Sequence, residues 1–379
     1  MVLYLRVIVL GSGKIGSVIA KDFSKRDVEI TLGDVDLKRA EKAAREIGAD
    51  YLKFDTSNFD SMVKILSEFD FVLGALPGDY GFRALEACVE AGKSIVDVSF
   101  TPEDPSILDR NAHNAGLTII PDCGVAPGLS NLLVGYGASK FDKVDEAKIM
   151  VGGIPEKPVP PLGYTVTWSA DGLIDEYIRD VIVVRDGKVV KVPPLSGLEQ
   201  IEFPGVGTLE AFYTDGLRSL VRSLPGVKNL YEKTLRYPGH VEKVKLLKTL
   251  GFFSEEPVRV EGKEITPKMV SARIFERSLT NPNVGDLLAM MIEVFGEEKG
   301  EKRAHRYHLL EYPDPETGIS AMARTTAYTA SIVAGILMEG RIKAKGVIPI
   351  ETLSVNHDFV KEVFNELKKR GIVVKETII

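Results

Sequence analysis

Six residues, Gly11-Ser12-Gly13-Lys14-Ile15-Gly16, have the spacing with the clearest chemical meaning in this chain. A glycine at the first position permits a tight turn, and one at the third lets a pyrophosphate approach the backbone. One at the sixth lets the following helix pack closely. A helix beginning there offers free N–H groups and a positive dipole end to phosphate. Asp34 follows about 20 positions later, where a carboxylate holds the ribose hydroxyls of NAD and repels the 2′-phosphate of NADP. Asp34 reads otherwise as a helix cap, a role that Asp36 fills equally well.

Histidine is scarce enough for each one to be weighed. His305 and His308 stand three apart in a strand pattern and so point to opposite faces, which excludes a joint metal site. His113 falls on a helix surface, and His357 precedes the last helix. His240 differs, because it follows Arg236-Tyr237-Pro238-Gly239, where a strand meets a helix and proline and glycine force a turn. Arg236 could hold a substrate carboxylate there, and His240 could move a proton near neutral pH. The same residues also suit a structural turn with a surface histidine. Cys88 and Cys123 are too few for a disulfide framework or a thiolate zinc site, and no metal is expected.

These residues need strands and helices in alternation to position them. A strand-like run at 4–10 enters the glycine turn. A helix with Ile15, Val18, Ile19 and Phe23 on one face follows, then a strand at 28–32 ending at Gly33-Asp34. Helices at 37–47, 59–66, 81–91 and 103–115 alternate with strands at 51–54, 69–76, 94–98 and 117–120. This pattern predicts an α/β fold, a Rossmann-type doubly wound parallel sheet that binds ligands beyond the carboxyl ends of its strands. The residues at those ends are the cofactor candidates: Val35 beside Asp34, Asp55-Thr56 bordering the adenine, Ala75-Leu76-Pro77 along the cofactor's middle, and Asp97-Val98. Asp122, at the sixth end, reads either as a buried acid of the site or as a cap. Beyond it, a helix with Pro127 in its first turn would seat an anion or carboxamide.

After residue 145 the pattern changes to an inserted α+β domain with a mostly antiparallel sheet. Strands are predicted at 147–151 and 164–168, followed by a hairpin at 181–192 turning on Asp186-Gly187. Further strands are predicted near 201–203, 233–236, 258–260 and 303–312, with helices near 216–223 and 241–250. Helices at 325–339 and 359–369 and a strand at 372–374 are expected to pack back on the nucleotide domain. The domains are therefore drawn as 1–125 with 320–379 for NAD, and 126–319 for substrate binding and dimerisation. The free face or edge of an antiparallel sheet suits a homodimer or homotetramer, or is covered within the monomer.

The composition, 44% hydrophobic and 27% charged over 379 residues, is that of a globular protein of about two domains. A net charge of -6 and a pI near 5.6 argue against nucleic acid or an anionic membrane as partner. No apolar stretch approaches the roughly 20 residues of a membrane span, and the start resembles no signal peptide, so a cytoplasmic location is expected. A single glutamine, Gln200, amid abundant Lys, Glu and Arg fits a thermophilic source.

Several stretches outside the glycine turn resemble the saccharopine dehydrogenase group, most closely its lysine 6-dehydrogenase branch. They are Thr118-Ile119-Ile120-Pro121-Asp122, Gly124-Val125-Ala126-Pro127-Gly128, Gly135-Tyr136-Gly137-Ala138-Ser139, Val151-Gly152-Gly153-Ile154-Pro155, Leu209-Glu210-Ala211-Phe212, and Arg236-Tyr237 with Gly239-His240. Ala321-Met322-Ala323-Arg324-Thr325-Thr326 is similar to the wider group. Ala126 departs from the Asp-Pro-Gly typical of saccharopine reductases and points to the lysine branch. Cys123 replaces an apolar residue, so it is not taken as a nucleophile. The resemblance implies NAD-dependent oxidation of the ε-amino carbon of L-lysine, with release of ammonia and a 2-aminoadipate semialdehyde that cyclises to a piperideine carboxylate. It further implies a base at His240 or Asp122, an anchor for the substrate carboxylate at Arg236 or the helix start at Gly128, and Asp97 near the nicotinamide ribose. The competing readings are saccharopine or carboxynorspermidine chemistry, which joins an amine and a carbonyl reductively, and an NAD-sensing protein without turnover.

Overall fold

The computed structural model describes residues 5–281 and 283–379, so Tyr4 of the first predicted strand lies outside the described residues. The chain forms two compact units. The first runs to Leu132 and takes in Ala323–Val373, and the second comprises Leu133–Met322 with Val374–Ile379.

In the first unit β1 (Leu5–Leu10), β2 (Val28–Asp34), β3 (Asp50–Lys53), β4 (Phe71–Gly74), β5 (Ile95–Asp97) and β6 (Thr118–Ile120) form a parallel sheet. Its order is β6-β5-β4-β1-β2-β3, with Gly346–Val347 added beside β6. Val7, Ile8, Val9 and Leu10 are wholly buried, as expected of a strand covered on both faces. Ile8, Leu10, Phe54, Val72, Ile95 and Ile119 anchor one apolar cluster. The strand Gly346–Val347 was not predicted, because two residues carry no periodic signal. The helix predicted at 103–115 is broken. Asp104 caps a 3-10 turn at Pro105–Leu108 by accepting from Ser106 N, and a short helix, Asp109–Asn114, follows.

The second unit holds β7 (Lys143–Pro155), the hairpin β8 (Val181–Arg185) and β9 (Lys188–Val192), β10 (Glu199–Phe203), β11 (Gly207–Tyr213) and β12 (Asn229–Arg236). It continues with β13 (Asp286–Glu298), β14 (Glu301–Glu311) and β15 (Lys375–Ile378). The sheet order is β10-β11-β12-β7-β13-β14-β15, with β8 joined to β12 and β9; β12 runs parallel to β7, and the other pairs are antiparallel. The hairpin turns through Asp186 and Gly187, both at positive φ, as the Asp-Gly pair predicts.

Several predictions for this unit fail for physical reasons. β13, which pairs with both β7 and β14, was missed because its buried Leu-Leu-Ala-Met-Met run has no two-residue alternation. The strand predicted at 164–168 is a loop, whose Val166 N and Thr165 Oγ1 both donate to the Leu279 carbonyl. The helix predicted at 216–223 keeps only Leu220–Ser223, while helices at Ala170–Ile178 and Pro267–Ser278 were not foreseen. The last strand starts at Lys375 rather than 372 and joins the second unit, pairing His305 with Ile378, instead of packing on the nucleotide domain. Among the described residues no helix is long and apolar enough to cross a membrane.

Candidate functional site

In the first unit the glycine turn is built as its spacing requires. Gly11 has φ +93°, and a Cβ there would fall 2.4 Å from the Ala75 carbonyl oxygen. A Cβ on Gly16 would fall 1.8 Å from the Gly11 oxygen, so helix α1 (Lys14–Phe23) can start here only because Gly16 has no side chain. Gly13 is the opposite case, since a Cβ would meet nothing within 4 Å. Gly13 caps α1 without a side-chain hydrogen bond, and the first turn carries no acid. Ser12 Oγ is buried without a hydrogen-bond partner among the described residues. Free helix N–H groups, open space and an orphaned hydroxyl fit a pyrophosphate. Gly13 and Lys14 are exposed, Ile15 half-buried.

Asp34 ends β2 and is 4% exposed. Its Oδ2 accepts from Ser12 N at 2.8 Å and Arg39 Nε at 3.0 Å, and its Oδ1 from Asp36 N at 2.9 Å and Arg39 Nη2 at 2.7 Å. Burial alone would raise its pKa, but Arg39 and the two N–H donors outweigh that and hold it below the usual carboxylate range. Asp36 fills the capping role, accepting from Lys38 N and Arg39 N. Val35 is exposed beside it. Asp55 turns back on Ser57, accepting from its N–H and hydroxyl, with Thr56 half-buried. Ala75 donates to the Leu10 carbonyl, Leu76 is half-buried, and Pro77 precedes the helix Gly78–Glu90.

Asp97 is 1% exposed and accepts from Ser99 N and Oγ, with half-buried Val98 between them. A Cβ on Gly74 would fall 1.9 Å from its Oδ1. Burial, opposed by the Ser99 bonds and reinforced by the charge of Asp122, pushes Asp97 up to about 7. Asp122 sits at φ 52°, a left-handed conformation of the kind that strained functional sites hold. The helix after it starts at Leu129, so Pro127 belongs to the tight turn where Gly124 N meets the Pro127 carbonyl, not to the helix. Cys123 is buried and its thiol pushed up by burial, which leaves it inert.

In the second unit Arg236 ends β12 at 2% exposure. Its Nη2 donates to Glu176 Oε2 at 2.7 Å, its Nη1 to the Leu235 carbonyl, and its guanidinium lies 4.6 Å over the Tyr164 ring. Its Nε is buried without a partner among the described residues. Thr234 Oγ1 donates to Glu176 Oε1 and meets Thr214 Oγ1 at 2.9 Å. Gly239, at φ +85°, opens the helix His240–Thr249, and the N–H groups of Gly239 and Val241 donate to the Glu210 carboxylate. His240 is 1% exposed; its Nδ1 meets the Leu162 carbonyl at 2.9 Å and its Nε2 the Tyr177 hydroxyl at 2.8 Å. A carbonyl only accepts, so Nδ1 carries the proton and Nε2 accepts from Tyr177. Burial first, then the charge of Arg236, pushes His240 down to about 3. The histidine is neutral with its lone pair in use, a correction to its reading as a poised base.

Arg39, Glu176, Glu232 and Tyr177 were not foreseen. Arg39 had a signal, a cation in the helix that follows Asp34; the others come from elements whose contacts no local spacing reveals. Among the described residues, no group of three or more His, Cys, Asp or Glu is placed to hold a metal ion.

A glycine turn open to phosphate at the carboxyl edge of a parallel sheet defines a dinucleotide-binding α/β domain. The chain belongs to the saccharopine dehydrogenase family: the saccharopine dehydrogenase NADP binding domain matches residues 7–120 and the saccharopine dehydrogenase C-terminal domain matches residues 124–372. It is similar to saccharopine dehydrogenase [NADP(+), L-glutamate-forming] of Pyricularia oryzae, at 24% identity over 98% of this chain and 99% of that one. The Saccharomyces cerevisiae protein of the same description is 22% identical over 98% of each. The fold is that of apo saccharopine dehydrogenase (L-Glu forming) from Saccharomyces cerevisiae, with a TM-score of 0.81 at 19% identity, covering 99% of this chain and 100% of that one.

Proposed function

We propose that the protein uses NAD to deaminate the ε-amino group of L-lysine oxidatively, giving ammonia and 2-aminoadipate 6-semialdehyde, which cyclises to a piperideine carboxylate. The observation that carries this reading is the make-up of the polar face of β12, where the one buried arginine, Arg236, is already paired with Glu176 of the helix Ala170–Ile178 and the other ionisable side chain is an acid, Glu232. Saccharopine, with its several carboxylates, calls for more cations; lysine presents one carboxylate and two amines.

The bound nicotinamide would supply the hydride acceptor, and water the carbonyl oxygen. In this reading Asp34 takes the adenosine ribose and the Gly11–Gly16 turn the pyrophosphate. The amine must lose a proton before its carbon can be oxidised. The acids at the ends of β5 and β6 suit that step: Asp97 titrates near neutrality with the charge of Asp122 nearby, and Asp122, the more accessible, is assigned as the base. Arg236 anchors the substrate carboxylate through its open Nε. His240 is a positioning residue, holding Tyr177 and the turn that ends β12.

Mixing the protein with NAD and a panel of amino acids and polyamines, and following the absorbance of the reduced cofactor, tests the reading. Lysine-dependent reduction is expected. Reduction by saccharopine alone would transfer the protein to the alternative chemistry, and silence with every amine would overturn turnover altogether.

A further inference from the structure

Glu232, Thr234 and Arg236 alternate with their neighbours along β12 and so share one face of the strand. Thr234 and Arg236 are both tied to Glu176. Glu232 is 4% exposed, and its Oε2 is buried with no hydrogen-bond partner among the described residues. A Cβ on Gly216 would fall 1.8 Å from Glu232 Oε1 and 2.3 Å from Oε2, so the carboxylate occupies space that only a glycine leaves.

The charges that bear on Glu232 are acidic. Asp215 lies in the segment next to Gly216, and Glu176 belongs to the helix Ala170–Ile178; together with burial they push Glu232 up to about 8. On the neighbouring strand β7 the residue opposite is the apolar Ile149. On its own strand, Arg236 is committed to Glu176, and Lys233 bonds Glu199 and the Gly197 carbonyl. A buried carboxylate with an unmet acceptor and acidic company is costly unless a cation with N–H donors joins it. Among the described residues no group of acids is placed to hold a metal ion, whereas a primary ammonium brings three donors and a charge.

We propose that Glu232 is the receptor for a primary ammonium group of the substrate, so that β12 recognises an amine at Glu232 and a carboxylate at Arg236. This rests on the reading of the protein as an amino-acid dehydrogenase and assigns the specificity of that site. The ammonium can be the α-amine or the distal amine of a diamino acid. L-Lysine carries both, 6-aminohexanoate only the distal one, and L-norleucine only the α-amine.

Titration calorimetry of the full chain, with and without NAD, tests the proposal with these three ligands. At pH 7 the wild type is expected to bind L-lysine with release of about one proton, seen as a dependence of the heat on buffer ionisation, because Glu232 must ionise to accept the cation. Glu232→Gln is expected to weaken L-lysine binding about 10- to 100-fold and to abolish the proton release. Gly216→Ala keeps the acid but displaces it, and gives the same loss if Glu232→Gln fails to fold. Whichever single-amine ligand shares the loss identifies the amine that is held. Unchanged lysine affinity in both variants, lysine binding without proton release, or no binding of any of the three by the wild type overturns the proposal. Lysine oxidation that survives undiminished in Glu232→Gln rejects the receptor and leaves the proposed reaction standing. Binding lost in the variant, with no turnover by the wild type, has the reverse meaning.

Discussion

The turn at Gly11–Gly16 and the cluster around Arg236 both hold charge, and they do so by opposite means. The turn uses mainly backbone: an exposed Gly13 with empty space where a side chain would go, helix N–H groups, and a buried serine hydroxyl without a partner among the described residues. The cluster uses largely buried side chains, where Arg236, Glu176, Thr234, Tyr177 and His240 bond among themselves at 2.7 to 3.1 Å and the Arg236 Nε is left unmet among the described residues. An open backbone cradle is finished by its ligand and adds little to stability. A sealed side-chain network is part of the core, so its chemistry and its stability cannot be altered separately.

The largest effect expected from that contrast is on the second unit. Glu176→Gln leaves the guanidinium of Arg236 buried without its counter-charge, which costs about 3–5 kcal/mol. Urea unfolding of the variant measures it. A loss below about 1 kcal/mol would put the pair in the class of solvent-screened ion pairs and make the cluster as open as the cradle.

His240 gives a second, pH-dependent test. Its pKa is about 3 in the folded protein against 6.5 when free, so the unfolded chain binds the proton more readily. Its stabilising contribution is full above pH 6.5 and is lost as pH falls from there toward 3. Between pH 6.5 and 4 the wild type should therefore lose on the order of 3 kcal/mol more than His240→Gln. Parallel curves would mean that His240 takes up a proton in the folded state, and would restore it as the candidate base.

The same contrast explains what could be read from the sequence. Gly11, Gly16 and Asp34 are demanded by backbone geometry within one βαβ unit, so spacing alone exposes them. Arg236 and His240 were visible because Pro238-Gly239 marks a turn, but their environment was not. Glu176 comes from a helix whose existence was missed, and Glu232 from a strand predicted only from residue 233 onward. Leu162 and Tyr177, which fix the histidine, lie more than 60 residues from it in sequence. Burial created by such distant contacts is what lowers the pKa of His240, and no local pattern encodes it. The parallel sheet was legible for the converse reason, since each of its strands is a short apolar run closed by a turn. β13 is also apolar and ends at the Lys299-Gly300 turn, but no helix pattern alternates with it and its buried run has no two-residue period to mark it as a strand.

The smallest effect concerns the nucleotide, and it bears on the one place where the open cradle borrows the device of the sealed cluster. Asp34 receives four hydrogen bonds, two of them from Arg39, and a carboxylate offers about four acceptor sites. An Asp34 held this way is neutralised, which softens its repulsion of a 2′-phosphate. Arg39, with its side chain 51% exposed, is also free enough at its outer face to meet such a phosphate. The relatives named above carry NADP(+) in their descriptions, whereas Asp34 argues for NAD. Arg39→Ala separates the two influences. It bares the carboxylate, so NADP+ affinity should fall about tenfold while NAD+ affinity changes less than about threefold. Fluorescence titration with each reduced cofactor reads the ratio without any substrate. If both nucleotides weaken equally, Arg39 serves only to orient Asp34. If neither moves, selection lies outside the carboxylate, and the preference for NAD inferred from Asp34 fails with it.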